Sequence, residues 1–150
     1  MRINTVHAVR EDLDEVAPLF DAYRVFYRQP SDLQGACDFL GERLVKSDSK
    51  IILARESETK EVAGFVQLYP SFTSTGMARI WILNDLFVSP EFRRQGVGAR
   101  LMQAAREFAM ENGGVRIILT TEKTNATAKA LYESMGWVLD DVFDHYTRTL

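Results

Sequence analysis

The chain has 150 residues, 46% hydrophobic and 26% charged, which fits one globular domain spanning 1–150 with enough material for a sizeable core. Its net charge of −3 supplies no overall positive field, which argues against a general nucleic-acid binder or an anionic-membrane binder while leaving room for a local basic pocket. Cys37 is the one cysteine, so an internal disulfide and a cysteine-built metal cluster are excluded, and with no signal peptide or bilayer-length apolar run the cytoplasm is the default.

Residues 3–9 alternate loosely and predict a first strand. Asp12 can cap a helix that places Val16, Leu19, Phe20, Tyr23 and Tyr27 on one face. Ser31 with Gln34 reads as a capping box opening a second helix, whose apolar set Leu33, Cys37, Leu40 and Leu44 makes Cys37 a core residue. A turn at 46–49 leads to a strand at 51–54, a polar loop at 56–60, a strand at 62–69, a loop at 71–76 and a long strand at 78–88. Gly96 opens a third helix with Val97, Leu101, Ala104, Ala105 and Phe108 on one face, stopped by Asn112-Gly113-Gly114. A strand at 115–121, a short helix at 126–135 and two closing strands at 137–139 and 145–149 complete the chain. This order predicts an α/β fold, one mixed sheet of about seven strands with about four helices on its two faces.

The stretch Leu86-Phe87-Val88-Ser89-Pro90-Glu91-Phe92-Arg93-Arg94-Gln95-Gly96-Val97-Gly98 carries the most chemistry. A strand stops at a proline, a basic turn follows, and Gly-x-Gly runs directly into a helix. Glycines let a ligand approach the backbone closely, and the N–H groups of a first helical turn point outward at the positive end of the dipole. Two arginines beside that end work against the dipole unless an anion is present, so the segment predicts a bound polyphosphate. The Gly-Lys-Ser/Thr ending of a P-loop is absent, and Leu101 occupies the place of the third small residue of a dinucleotide fingerprint.

Arg93-x-x-Gly96-x-Gly98 after a Leu-x-Val strand, together with Asn125 and Ala130-Leu131-Tyr132-x-x-x-Gly136-Trp137, resembles the two signature regions of the GNAT superfamily of N-acetyltransferases, closely over residues 80–137. The resemblance implies a mostly antiparallel mixed sheet with a splayed strand pair at the site of acetyl-CoA, whose spent form is CoA. It further implies that Arg93, Arg94, Gln95, Gly96, Val97, Gly98 and Ala99 hold the pyrophosphate, that Leu86, Phe87 and Val88 pair with the pantetheine arm, and that Asn125 touches the cofactor. Tyr132 would stand near the thioester sulfur. Asn125 and Tyr132 lie about two helical turns apart and share a face, and a phenol there can protonate a leaving thiolate. By spacing alone Tyr132 reads first as a packing aromatic beside Leu131 and Met135, and the resemblance is what gives it the catalytic role.

An acceptor amine must lose a proton before it attacks, and a carboxylate is the usual device. The strand at 79–88 is similar to that of the diamine-acetyltransferase branch, which carries a glutamate where this chain has Asn84. Asp85 is the nearest carboxylate and the candidate catalytic base, although strand alternation sends it to the opposite face unless a bulge intervenes; a water chain without a dedicated base is the other option. Tyr23, Tyr27 and Asn84 are the candidate acceptor-binding residues, with Gln29 beside them. Asp21 and Asp32 read as solvated surface, His7 and His145 as structural, and no metal is expected. The acceptor is expected to be a small-molecule amine or polyamine, with a peptide lysine or N-terminal amine as the alternative and a non-catalytic acyl-CoA sensor as the rival from another class; a homodimer is a family-level expectation.

Overall fold

The computed structural model describes residues 2–150. The chain divides into two compact units, Met1–Thr120 and Thr121–Leu150.

The first unit holds β1 (Ile3–His7), α1 (Leu13–Phe26), α2 (Leu33–Lys46), β2 (Lys50–Glu56), β3 (Val62–Thr73), β4 (Ala78–Val88), α3 (Val97–Glu111) and β5 (Gly114–Ile118). The five strands lie in the order β1-β2-β3-β4-β5, with the first three pairings antiparallel and β4–β5 parallel. Val16, Ala17 and Phe20 of α1 and Ala36 and Leu40 of α2 pack on Ile51, Leu53, Phe65 and Phe87, and Cys37 sits half-buried against that cluster as the helix pattern predicts. The other face carries α3: a Cβ on Gly64 would meet Leu101, and the Trp81 and Phe108 rings cross at 4.9 Å.

Hydrogen bonds at the helix ends fix how α1 and α2 meet the sheet. Arg55 on β2 binds Asp12 at 2.8 Å and Glu15 at 2.9 Å, tying the start of α1 to the sheet. The predicted Ser31 capping box is replaced by Asp32, whose carboxylate accepts from the Gly35 N–H at 2.9 Å. Ser31 donates instead to Asp21 at 2.6 Å, and the Asp32 N–H donates to the same carboxylate at 2.7 Å. Asp21, read from sequence as solvated surface, therefore pins the turn between the two helices. β3 runs on through Pro70 to Thr73, which is tolerated because its pairing with β2 ends at Leu68 and only a two-stranded arm continues.

Two features of β4 position the candidate site. Gln67 pairs with Asp85 but Leu68 pairs with Leu83, so Asn84 is an extra residue, a β-bulge. Trp81 packs on α3, whereas Phe87 packs in the α1/α2 cluster, although an even spacing would put both on one face of a regular strand. The pairing of β4 with β5 ends at Ile82 and Ile118, leaving the β5 side of residues 83–88 without a ladder partner among the described residues.

The second unit holds α4 (Ala126–Ser134), closed by Gly136 at φ 91°. The sheet thus has five strands and not seven, with four helices. Residues 137–139 and 145–149 carry the side-chain pattern of strands but form no ladder, and a strand exists only through its ladder. Between them Asp140 bends the backbone by accepting from the N–H groups of Val142 at 2.9 Å and Phe143 at 3.3 Å.

Candidate active site

The bulge at Asn84 turns Asp85 toward α1. Asp85 is 5% exposed and its partner across the strands, Gln67, is fully buried. A buried carboxylate is tolerated only with hydrogen-bond donors, and two side-chain amides serve this one. The Gln67 amide donates at 2.7 Å and the Asn84 amide at 3.1 Å. Ser49 donates to the Gln67 carbonyl oxygen at 2.8 Å, which fixes the amide with its NH₂ toward Asp85. Burial raises the Asp85 pKa above its ordinary 3.8, and the neighbouring polar groups of Gln67, Tyr23 and Asn84 pull it partly back.

Above this carboxylate stands an aromatic wall. The Tyr23 ring lies 5.1 Å from Tyr27, 5.7 Å from Phe65, 5.9 Å from Phe87 and 6.0 Å from Phe20, which leaves its hydroxyl little freedom. That hydroxyl donates to the Asn84 backbone carbonyl at 3.4 Å. Burial, then the Asp85 charge, pushes the Tyr23 phenol far above its ordinary value, so it stays neutral. The same two causes push Tyr69 up to about 12. Asn84 itself is exposed and engages Asp85, so the polar group expected at the strand face is present while the carboxylate sits one residue on.

The loop into α3 carries two residues of positive φ. Arg94 at φ 61° and Gly96 at φ 80° are both left-handed, and α3 begins at Val97. The first-turn N–H groups of α3 have no intrahelical acceptor by the geometry of a helix start. Arg93, Arg94, Gln95 and Gly96 are exposed and Gly98 and Ala99 half-buried, whereas the Val97 side chain is buried in the core. The Arg93 side chain turns toward the sheet: its Nε donates to the Val88 carbonyl at 3.0 Å, and its guanidinium lies 5.3 Å from the Phe87 ring and 5.5 Å from Phe26. Leu86 is half-buried and Phe87 buried at the end of β4. Beside the loop is an open depression of about 370 Å³ lined by Arg2, Ile3, Asn4, Gln95 and Arg100.

In the second unit, Asn125 caps α4, its side-chain oxygen accepting from the Ala128 N–H at 3.2 Å. The Tyr132 and Trp137 rings lie 6.2 Å apart.

Sequence reasoning missed Gln67, Ser49, Tyr69, Arg2 and Arg100. Gln67 had a readable signal, since it is the one polar side chain in the run Ala63-Gly64-Phe65-Val66-Gln67-Leu68. Among the described residues no group of three or more His, Cys, Asp or Glu side chains could hold a metal, and no helix is long and apolar enough to cross a membrane.

Comparison with known proteins agrees with this geometry. The model of the acetyltransferase (GNAT) family matches residues 10–137. The N-acetyltransferase YhfO of Bacillus subtilis is 49% identical over 144 residues, covering 96% of this chain and 95% of that protein. A probable acetyltransferase of Haemophilus influenzae is 31% identical over 86% of each chain, and thialysine N-epsilon-acetyltransferase of Bos taurus is 33% identical over 50% of this chain and 44% of its own. The crystal structure of a probable acetyltransferase matches with a TM-score of 0.93 at 43% identity, covering 100% of this chain and 98% of that one. A five-stranded sheet opened beyond Ile82, a left-handed glycine before α3 and a family match over residues 10–137 converge on one conclusion: the chain belongs to the GNAT family and is an N-acetyltransferase.

Proposed function

We propose that the protein transfers an acetyl group from acetyl-CoA to the primary amine of a small molecule, with Asp85 as the base that takes the amine proton. The observation that carries this reading is the Asn84 bulge, which brings a buried carboxylate of raised pKa to the side of the sheet where Tyr23 stands. A base whose pKa rises toward the working pH is better matched to proton transfer than an ordinary aspartate. Asn84 is then the bulged residue that aims the carboxylate and no longer counts toward a non-catalytic sensor.

The residues at the α3 start suit the diphosphate of acetyl-CoA, which supplies the acetyl thioester when bound. The first-turn N–H groups, Arg94 and a left-handed Gly96 offer donors and close approach. Arg93 acts from behind by fixing the Val88 carbonyl, and Arg2 and Arg100 supply further positive charge in the neighbouring depression. The open backbone edge at 83–88, including Leu86, Phe87 and Val88, offers ladder groups to an extended amide arm and N–H donors to a developing oxyanion. In the second unit the Asn125 side chain has its NH₂ to offer a ligand while its oxygen caps α4. Tyr132 is proposed as the acid that protonates the leaving thiolate.

The acceptor side favours an amine carried on a partly apolar body, because the Tyr23, Tyr27 and exposed Phe26 rings form one contiguous aromatic wall. The name of the bovine relative, a thialysine acetyltransferase, points to an amino-acid side-chain amine as one member of that class. The test is release of free thiol from acetyl-CoA with diamines, polyamines, lysine-like amino acids and peptides bearing one free amine. Turnover of a small amine is expected. Turnover confined to peptides would overturn the small-molecule half of the proposal.

A further inference from the structure

Arg2 stands just before β1 and Arg100 in the first turn of α3, and both line one open depression of about 370 Å³. Ile3, Asn4 and Gln95 complete the lining, so among the described residues no acidic side chain contributes to it. Both arginines are exposed, and neither has an ion-pair partner among the described residues, whereas Arg24, Arg43 and Arg55 are each paired with carboxylates. Two like charges gathered at one concavity repel unless an anion joins them. Asn4 and Gln95 each donate one amide N–H within the protein, to Ser57 Oγ at 3.2 Å and to the Glu91 carbonyl at 3.2 Å, and each keeps a second.

The neighbours say which anion. Gln95 precedes Gly96, and the Arg100 N–H closes the first turn of α3 onto the Gly96 carbonyl at 3.1 Å. The depression therefore borders the backbone proposed above to hold the diphosphate of CoA. On the ribose next to that diphosphate CoA carries a further phosphate, a monoester at the 3′ position. Such a group has about −1.5 to −2 charge at pH 7 and three acceptor oxygens, which planar guanidinium forks match. We propose that Arg2 and Arg100 seat the 3′-phosphate of CoA in this depression, so that the enzyme distinguishes CoA from its 3′-dephosphorylated form.

The inference rests on the diphosphate lying at the start of α3, and the experiment separates the two ideas. CoA and 3′-dephospho-CoA are titrated calorimetrically into wild type, Arg100→Gln, the Arg2→Gln/Arg100→Gln double variant and Gly96→Ala, each beside a thermal melt. Wild type binds CoA about tenfold more tightly than dephospho-CoA. Arg100→Gln loses part of that preference. The double variant binds the two ligands alike, at the wild-type affinity for dephospho-CoA, and melts as wild type does because both side chains are exposed. Gly96→Ala weakens both ligands by the same factor and keeps the preference. A wild type that binds both ligands equally would overturn the 3′-phosphate seat while leaving the diphosphate site in place. So would a double variant that keeps the preference, or one that loses both ligands in equal proportion. A wild type that binds neither ligand would overturn the diphosphate site and the seat with it.

Discussion

Gln67 and Asp85 oppose one another across β3 and β4 with amide and carboxylate 2.7 Å apart, and the extra residue Asn84 makes that meeting happen. Without the bulge Asp85 would share a face with Leu83 and Trp81 and point at α3, where Phe108 and Leu101 offer no donor. One inserted residue thus moves a carboxylate from an apolar layer into a polar niche with two amide donors.

Gln67→Leu tests that niche. It removes a donor that holds the Asp85 pKa down, so the rising limb of the rate profile moves to higher pH. It also leaves a buried carboxylate short of a partner, which costs about 1–3 kcal/mol of stability. Denaturant unfolding and a pH–rate series read both.

Asp85 also sets a pH dependence of folding. Its folded pKa is raised, so its contribution to stability is full below its ordinary 3.8 and is lost as the pH rises through the folded value. Asp85→Asn lacks that loss. The stability of the variant relative to wild type is therefore more favourable at pH 7 than at pH 3.5, as urea unfolding at the two pH values shows. The opposite sign holds for Glu15, whose pKa is lowered chiefly by its hydrogen bond from Arg55, so its contribution is present above the usual carboxylate range and fades as the pH falls.

Gly96→Ala separates backbone strain from crowding. Nothing lies within 4 Å of the added Cβ, but φ is 80°, so the loss is conformational and about 1–2 kcal/mol. CoA affinity falls with it, and Gly96→Asn, which tolerates this region better, recovers part of both in thermal unfolding and calorimetry.

The two arginines part company. Arg94→Ala weakens CoA binding about tenfold while leaving the fold intact, because its exposed side chain is free to serve the ligand. Arg93→Ala removes the clamp on the Val88 carbonyl and the contact with the Phe26 and Phe87 rings, so it lowers the melting temperature as well. Calorimetry beside a thermal melt distinguishes them.

Tyr132→Phe lowers kcat by about 10²-fold or more with little change in CoA affinity if the phenol protonates the leaving thiolate. Stopped-flow thiol release checks it, and a full-rate variant ends the assignment.

Much of this was legible in the residues because the signals were local. The helix periodicities, the β4 span at 78–88 and the glycine-opened start of α3 rest on side-chain spacing and backbone freedom, which sequence carries directly. The two closing strands were misread because alternation describes a strand's faces and says nothing of its ladder. Ser31 looked like a cap until Asp21, ten residues back, claimed its hydroxyl. The face on which Asp85 lies depended on a register shift between β3 and β4, a non-local fact that composition and periodicity do not encode. Arg2 and Arg100 meet only when β1 and α3 come together, so no motif announces them.

The most direct test of the account is calorimetric titration of the purified chain with CoA, beside the Arg94→Ala and Gly96→Ala variants. The account predicts a measurable heat for the wild type with Kd in the micromolar to millimolar range, weakened in both variants. A wild-type chain that gives no heat, or variants that bind as tightly as it does, would contradict the placement of the diphosphate at the start of α3.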